Sequence, residues 1–81
     1  LINNYGNLQL IYGNTIYANL KNKNTGTIRL SHYANTMHGK FSNEAGSTLS
    51  LDGANYTTDI TFDSAFVNNG NIDLRGVTGY G

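Results

Sequence analysis

The stretch FVNNGNIDLRG, residues 66–76, decides the fold. An apolar residue leads into an Asn-rich turn, a glycine follows, and then apolar and polar residues alternate. Alternation with period two marks a half-buried strand. Asn and Gly suit a corner, because both tolerate backbone conformations that other residues avoid. Looser copies of the same order occur three more times. Leu1 runs through INNYG to Leu8 and Leu10, Leu20 through KNKNTG to Ile28 and Leu30, and Phe41 through SNEAG to Leu49 and Leu51. The corner glycines Gly6, Gly26, Gly46 and Gly70 are separated by 20, 20 and 24 residues, and the last gap absorbs extra residues in NYTTDITFDS.

A second block repeats beside the first. YGNTIYANLKN (12–22) aligns with YANTMHGKFSN (33–43) at a spacing of 21 residues, with Tyr, Asn, Thr and the final Asn identical. Strands this short, joined by turns of a few residues and repeated in one order, cannot form ordinary hairpins without losing the repeat register. They can coil. In a parallel β-helix each strand pairs with its copy one coil away at about 4.8 Å, and like residues stack into ladders. The expected fold is therefore all-β, a parallel β-solenoid of three to four coils of 20–25 residues, uncapped, over one segment, residues 1–81. Asn3, Asn22, Asn43 and Asn68 are expected to form one amide ladder, and Asn14, Asn35 and Asn55 another. The competing reading is a small antiparallel sandwich in which NNGN (68–71) is a hairpin turn; the fixed order of the repeat favours the coil.

Composition agrees. Thirteen Asn, ten Gly and nine Thr disfavour helix interiors. With 38% apolar residues and neither Cys nor Pro, the core is narrow and no disulfide or thiolate metal site supplements it. Five basic and five acidic residues cancel and do not cluster, so no nucleic-acid partner is expected. No apolar run approaches the roughly 18 residues of a membrane-crossing helix, so this segment is not expected to insert into a membrane. Residue 1 is Leu rather than Met, which suggests a processed product or an excised piece.

The coil assigns faces. Leu8, Leu10, Ile28, Leu30, Leu49, Leu51, Ile72 and Leu74 point inward on one side. Ile16, Ala18, Leu20, then Met37, Gly39, Phe41, then Phe62, Ser64, Phe66 point inward on another. Between them Gln9, Arg29, Ser50 and Asp73 form one outward row, and Tyr17, His38 and Asp63 another, beside Asn19, Lys40 and Ala65. No like charges stack directly.

The order F-x-N-x-G-x-I/L-x-L-x-G, present as FVNNGNIDLRG and loosely as FSNEAGSTLSLDG, resembles the repeats of bacterial β-helical exoproteins, the filamentous-haemagglutinin-like adhesins and autotransporter passenger domains. STLSLDGANYTTDITF also looks like the strand repeat near the outer-membrane anchor of autotransporters. The resemblance implies a right-handed coil, an extracellular or bacterial cell-surface location, and a role in adhesion, biofilm matrix or display. It departs from the family in length, since those proteins run to many coils. A stack with open ends is either part of a longer solenoid or a filament subunit, so the implied partners are neighbouring coils, copies of the chain itself, and host-surface glycans or proteins.

Chemistry-bearing residues are dispersed. Some β-helices cleave polysaccharides with carboxylates gathered on one face. Here Glu44, Asp52, Asp59, Asp63 and Asp73 fall on different faces and corners, with Asp59 and Asp63 the one near pair. His32 and His38 sit at different corners, and neither a phosphate-binding loop nor a nucleophile elbow is present. No enzyme activity, cofactor or metal is expected. The candidate ligand-facing residues are the aromatics Tyr12 and Tyr33, in register before a turn, and Tyr17 and His38 five residues on; stacked rings suit sugar faces. Asn55 in NYT matches a glycan-acceptor pattern.

Overall fold

Alternating runs cut every few residues by Asn, Gly or Ser become strands of two to five residues. The structure, a computed structural model, describes residues 1–31, 33–52 and 58–75, with no helix among them. The first coil holds β1 (Ile2–Asn4), β2 (Asn7–Ile11) and β3 (Thr15–Ile16). The second holds β4 (Leu20–Asn22), β5 (Thr27–Ser31) and β6 (Tyr33–Met37), and the third β7 (Phe41–Asn43), β8 (Thr48–Asp52) and β9 (Thr58–Phe62). A fourth begins with β10 (Phe66–Asn68) and β11 (Asn71–Arg75).

Every third strand meets its copy. The sheets are ordered β1-β4-β7-β10, β2-β5-β8-β11 and β3-β6-β9, and the pairings among the described residues are parallel. The chain is thus an all-β, parallel β-solenoid of about three turns, as expected. Asn68–Asn71 is not a hairpin: it carries the chain from one sheet to the next, since β10 and β11 pair with β7 and β8.

The inward rows stack as the alternation requires. Leu8, Ile28, Leu49 and Ile72 share one register line, Leu10, Leu30, Leu51 and Leu74 a second, and Leu20, Phe41 and Phe66 a third. Leu20, Ile28, Leu30, Met37, Phe41 and Leu49 are buried, each worth about 1.5–3 kcal/mol relative to exposure. Phe41 tilts against Phe62 and Phe66 at 5.4 and 5.6 Å, and those two rings stack at 4.1 Å. Burial fades toward the ends: Leu30 is 0% exposed, whereas Leu74, in the same row, is 73% exposed.

The corners set the coil lengths. Successive ladder asparagines lie 18, 21 and 25 residues apart, a different series from the 20, 20 and 24 of the glycines. The corner after β1, NYGN (4–7), and the corner after β10, NNGN (68–71), are short. The two between them, NKNTGT (22–27) and NEAGST (43–48), are longer by two residues. The large increment in the third coil falls between β8 and β9.

Candidate functional site

Among the described residues the Asn corner carries a continuous row of side-chain amide hydrogen bonds, and its register differs from the expected one in the first coil. Ile2, not Leu1, pairs with Leu20, which places Asn4 opposite Asn22 and Asn3 opposite Lys21. Asn3 is therefore not a ladder residue; it is exposed on the outer face, and Asn4 takes its place. The Nδ2 of Asn4 donates to Asn22 Oδ1 at 2.9 Å, that of Asn22 to Asn43 Oδ1 at 2.9 Å, and that of Asn43 to Asn68 Oδ1 at 2.8 Å. Each of these Nδ2 groups also donates to a main-chain carbonyl of the next coil: Thr27, Thr48 and Asn71. Asn22 and Asn43 are 0% exposed. A buried amide normally destabilises unless its donors and acceptor are all matched, and here the neighbouring coils match them.

The main-chain bonds that flank this corner run the other way. Lys23, Glu44 and Asn69 N–H donate back to the carbonyls of Asn4, Asn22 and Asn43. Thr27, Thr48 and Asn71 N–H likewise donate back to Gly6, Gly26 and Ser47. That last series corrects the glycine row: Ser47, not Gly46, stands in register with Gly26 and Gly70. Gly46 lies one position earlier with φ of 84°, where its freedom of conformation is what counts. Gly26 and Gly70 are needed for a different reason, close approach. A Cβ on Gly70 would lie 2.4 Å from Glu44 O and 2.5 Å from Ser47 O, and one on Gly26 would lie 2.7 Å from Asn4 O.

The second expected ladder is short. Asn14 N–H donates to Asn35 Oδ1 at 3.0 Å, and Asn35 is buried, but the residue in register on the next coil is Ile60. The inserted corner precedes β9 and shifts the sequence past the Asn. Asn35 Nδ2 turns instead to the carbonyls of Tyr33 and Asp59. Asn55 itself lies outside the described residues, as does His32.

The outer aromatic row forms as the alternation predicts. The Tyr17 and His38 rings stack at 4.8 Å with 17° between planes, and His38 Nδ1 meets Asp63 Oδ2. Beside this column Asn19 Oδ1 accepts from Lys40 N–H at 2.9 Å. Tyr12 and Tyr33 are exposed, and both hold left-handed backbone, φ 71° and 73°, unusual for a bulky side chain. In the row Gln9, Arg29, Ser50, Asp73, the short Ser50 is buried between its longer register neighbours rather than solvent-facing.

One feature had no distinct signature in the sequence. An open groove of about 380 Å³ runs along the outer face of the β4 and β7 strands, lined by Leu1, Ala65 and Val67 together with Lys21 and Lys40. Its lining is mainly apolar. Its signal is the outward phase shared by Lys21, Ser42 and Val67, which alternation alone cannot separate from an ordinary solvated face. Of the acids, Asp63 is engaged with His38, and no group of three or more His, Asp or Glu converges among the described residues.

No protein-family model, curated protein or solved structure matches the chain. The coil geometry itself, a parallel β-solenoid of about three turns held by a buried amide ladder, is what any functional reading starts from.

Proposed function

We propose that this chain is a structural and adhesive β-solenoid segment of a secreted or bacterial cell-surface protein, with no catalytic role. The observation that carries the reading is the allocation of residues. Inward positions fill a core, corner amides bond coil to coil, and the outward rows form a mixed, repeating surface. Such a stack lengthens and displays. The likeness of FVNNGNIDLRG to filamentous-haemagglutinin-like and autotransporter passenger repeats supports the surface location. Two measurements test it. Antibodies raised against the chain should label intact cells of the source organism, and particles coated with the chain should adhere to host-type glycoprotein surfaces more than particles coated with a bland protein. Absence of surface labelling removes the localisation; equal adhesion removes the adhesive role.

A second reading, carbohydrate binding, is favoured by the two exposed tyrosines in left-handed backbone and by the Tyr17–His38 stack, because rings held at fixed spacing suit sugar faces. Its test is a glycan panel probed with the chain and with Tyr17→Ala and Tyr33→Ala. Retention of binding by both variants would move any sugar site elsewhere, for instance to the Lys21–Lys40 groove. Release of reducing ends from any polysaccharide in the panel would restore the enzymatic alternative.

A further inference from the structure

The outer face of the β2-β5-β8-β11 sheet carries polar side chains at alternate residues. Asn7, Thr27, Thr48 and Asn71 form one row, and Gln9, Arg29, Ser50 and Asp73 form the next. Ser50 is 2% exposed, and its Oγ has no hydrogen-bond partner. The Nε of Arg29, its register neighbour, is likewise enclosed and unpartnered. Arg29 also forms no ion pair among the described residues. Buried polar groups are nearly always matched, and an unmatched donor beside an unmatched acceptor, on strands about 4.8 Å apart, leaves this part of the face with hydrogen-bonding capacity the fold does not use.

On its other side Arg29 borders a recess of about 190 Å³, lined by Asn7, Leu8, Gln9, Thr27 and Arg29 itself. Pockets for drug-sized molecules run to about 300–1,000 Å³, so this one suits a single small ring. Asn7 and Gln9 bring side-chain amides to it and Thr27 a hydroxyl. Such groups both donate and accept, which fits ligand hydroxyls. The guanidinium is a planar fork that fits a carboxylate. It is the one cation in this lining, which matches a single negative charge better than a phosphate dianion. The acids of this face, Asp52 and Asp73, do not line the recess.

We propose that this recess binds a hexuronate, a sugar ring bearing a carboxylate, with Arg29 taking the charge and Asn7, Gln9 and Thr27 the ring hydroxyls. Ser50 is a positioning residue. On binding, its Oγ accepts the Nε–H of Arg29 from behind, which leaves the terminal N–H groups of the guanidinium for the carboxylate. The bound state thus matches both groups that are unmatched in the free chain. Arg29 and Ser50 lie on β5 and β8, each with a described strand on either side, so neither end of the stack enters. The recess is on a different sheet from the Tyr17–His38 column, which adjoins β3 and β6. The proposal gives the carbohydrate reading a ligand class and rests on that reading, but not on its tyrosines and not on adhesion.

Nuclear magnetic resonance of the isotope-labelled 81-residue chain tests it, with D-galacturonate as the probe and D-galactose, acetate and inorganic phosphate titrated in parallel. Galacturonate should move the Arg29 Nε–H resonance and the amide resonances of Asn7, Gln9 and Thr27, with a Kd of about 1–10 mM. The other three should each bind about tenfold more weakly or worse. Arg29→Gln should abolish the shifts, and Arg29→Lys should weaken binding about tenfold, because an ammonium keeps the charge and loses the fork. Ser50→Ala should weaken binding about threefold or more and leave the Arg29 Nε–H resonance unmoved by ligand, with the circular dichroism and urea midpoint of the parent. The shift map and ligand ranking of the parent decide the matter without any variant. Binding of galactose, acetate or phosphate as tight as that of galacturonate, no shift over that range, or full binding by Arg29→Gln would overturn the proposal. Shifts centred on Tyr17 and His38 would overturn it and leave the carbohydrate reading standing, whereas failure of every sugar in the glycan panel would end both.

Discussion

Replacing Asn43 by leucine separates the amide ladder from the hydrophobic core. Asn43 is fully enclosed; it accepts from Asn22 Nδ2 at 2.9 Å and donates to Asn68 Oδ1 at 2.8 Å and Asn71 O at 3.0 Å. Leucine keeps the branch at Cγ and removes all three bonds. At about 1 kcal/mol net each, they amount to about 3 kcal/mol. The penalty for stranded partners is small: Asn22 Nδ2 keeps the carbonyls of Gly26 and Thr48, and exposed Asn68 is reached by water. Two further terms oppose each other. A buried leucine gains about 1.5–3 kcal/mol from burial, while its extra volume against Gly70, whose Cβ position already lies 3.0 Å from Asn43 Nδ2, costs about 1–3 kcal/mol. They nearly cancel, so the hydrogen bonds decide and the variant should lose about 3 kcal/mol. For a chain of this size that lowers Tm by about 12–24 °C. Urea unfolding followed by far-ultraviolet circular dichroism measures it, and an unchanged m value shows that the fold is retained. A leucine variant that unfolds at the parent's urea concentration would refute the argument, because burial alone would then account for the corner.

Three further outcomes follow from the same geometry. Gly70→Ala, with main-chain oxygens 2.4 and 2.5 Å from the new methyl, should destabilise the chain by about 2 kcal/mol or more, whereas Gly6→Ala should stay within about 0.5 kcal/mol in the monomeric chain; equal melting temperatures would contradict the close-approach account. Phe41→Ala, which empties the contact with Phe62 and Phe66, should cost about 3–5 kcal/mol and leave the chain largely unfolded, while Leu74→Ala at the exposed end should be near neutral. Asp63→Asn removes the carboxylate oxygen that His38 Nδ1 meets, on side chains that are 37% (His38) and 45% (Asp63) exposed; the loss should stay under about 1 kcal/mol, and a larger loss would mean the column is enclosed.

The sequence shows the coil because one order of residues recurs, and the inward rows follow from period two alone. The exact phase of the first coil does not. Leu1-Ile2-Asn3-Asn4 offers an apolar residue and an Asn in both phases, and only the pairing of Ile2 with Leu20 selects Asn4. Counting from glycines also assumes corners of equal length. The chain varies its corners, so Gly46 falls beside the row that Ser47 occupies, and the extra residues ahead of β9 put Ile60 where an Asn was expected. The aromatic column was legible because Tyr17, His38 and Asp63 sit in the constant stretch around β3, β6 and β9. The Lys21–Lys40 groove was not, because a groove is a relation between two outer rows and a corner, and no single repeat contains it.

Why asparagine occupies this corner follows from counting its groups. Its amide offers two N–H donors and an acceptor on one short, planar end, and at Asn22 the ladder uses the acceptor for Asn4 and the donors for Asn43 and carbonyls of Gly26 and Thr48. Serine has a single donor, and an aspartate row would set charged acceptor against charged acceptor in an enclosed column. The ladder also fixes register. Sliding a coil by one residue would turn each buried amide outward and each solvent-facing neighbour inward, as the exchange between Asn3 and Asn4 illustrates. A chain with a narrow core thus obtains a single alignment from a polar row that is fully matched only when every coil is in step.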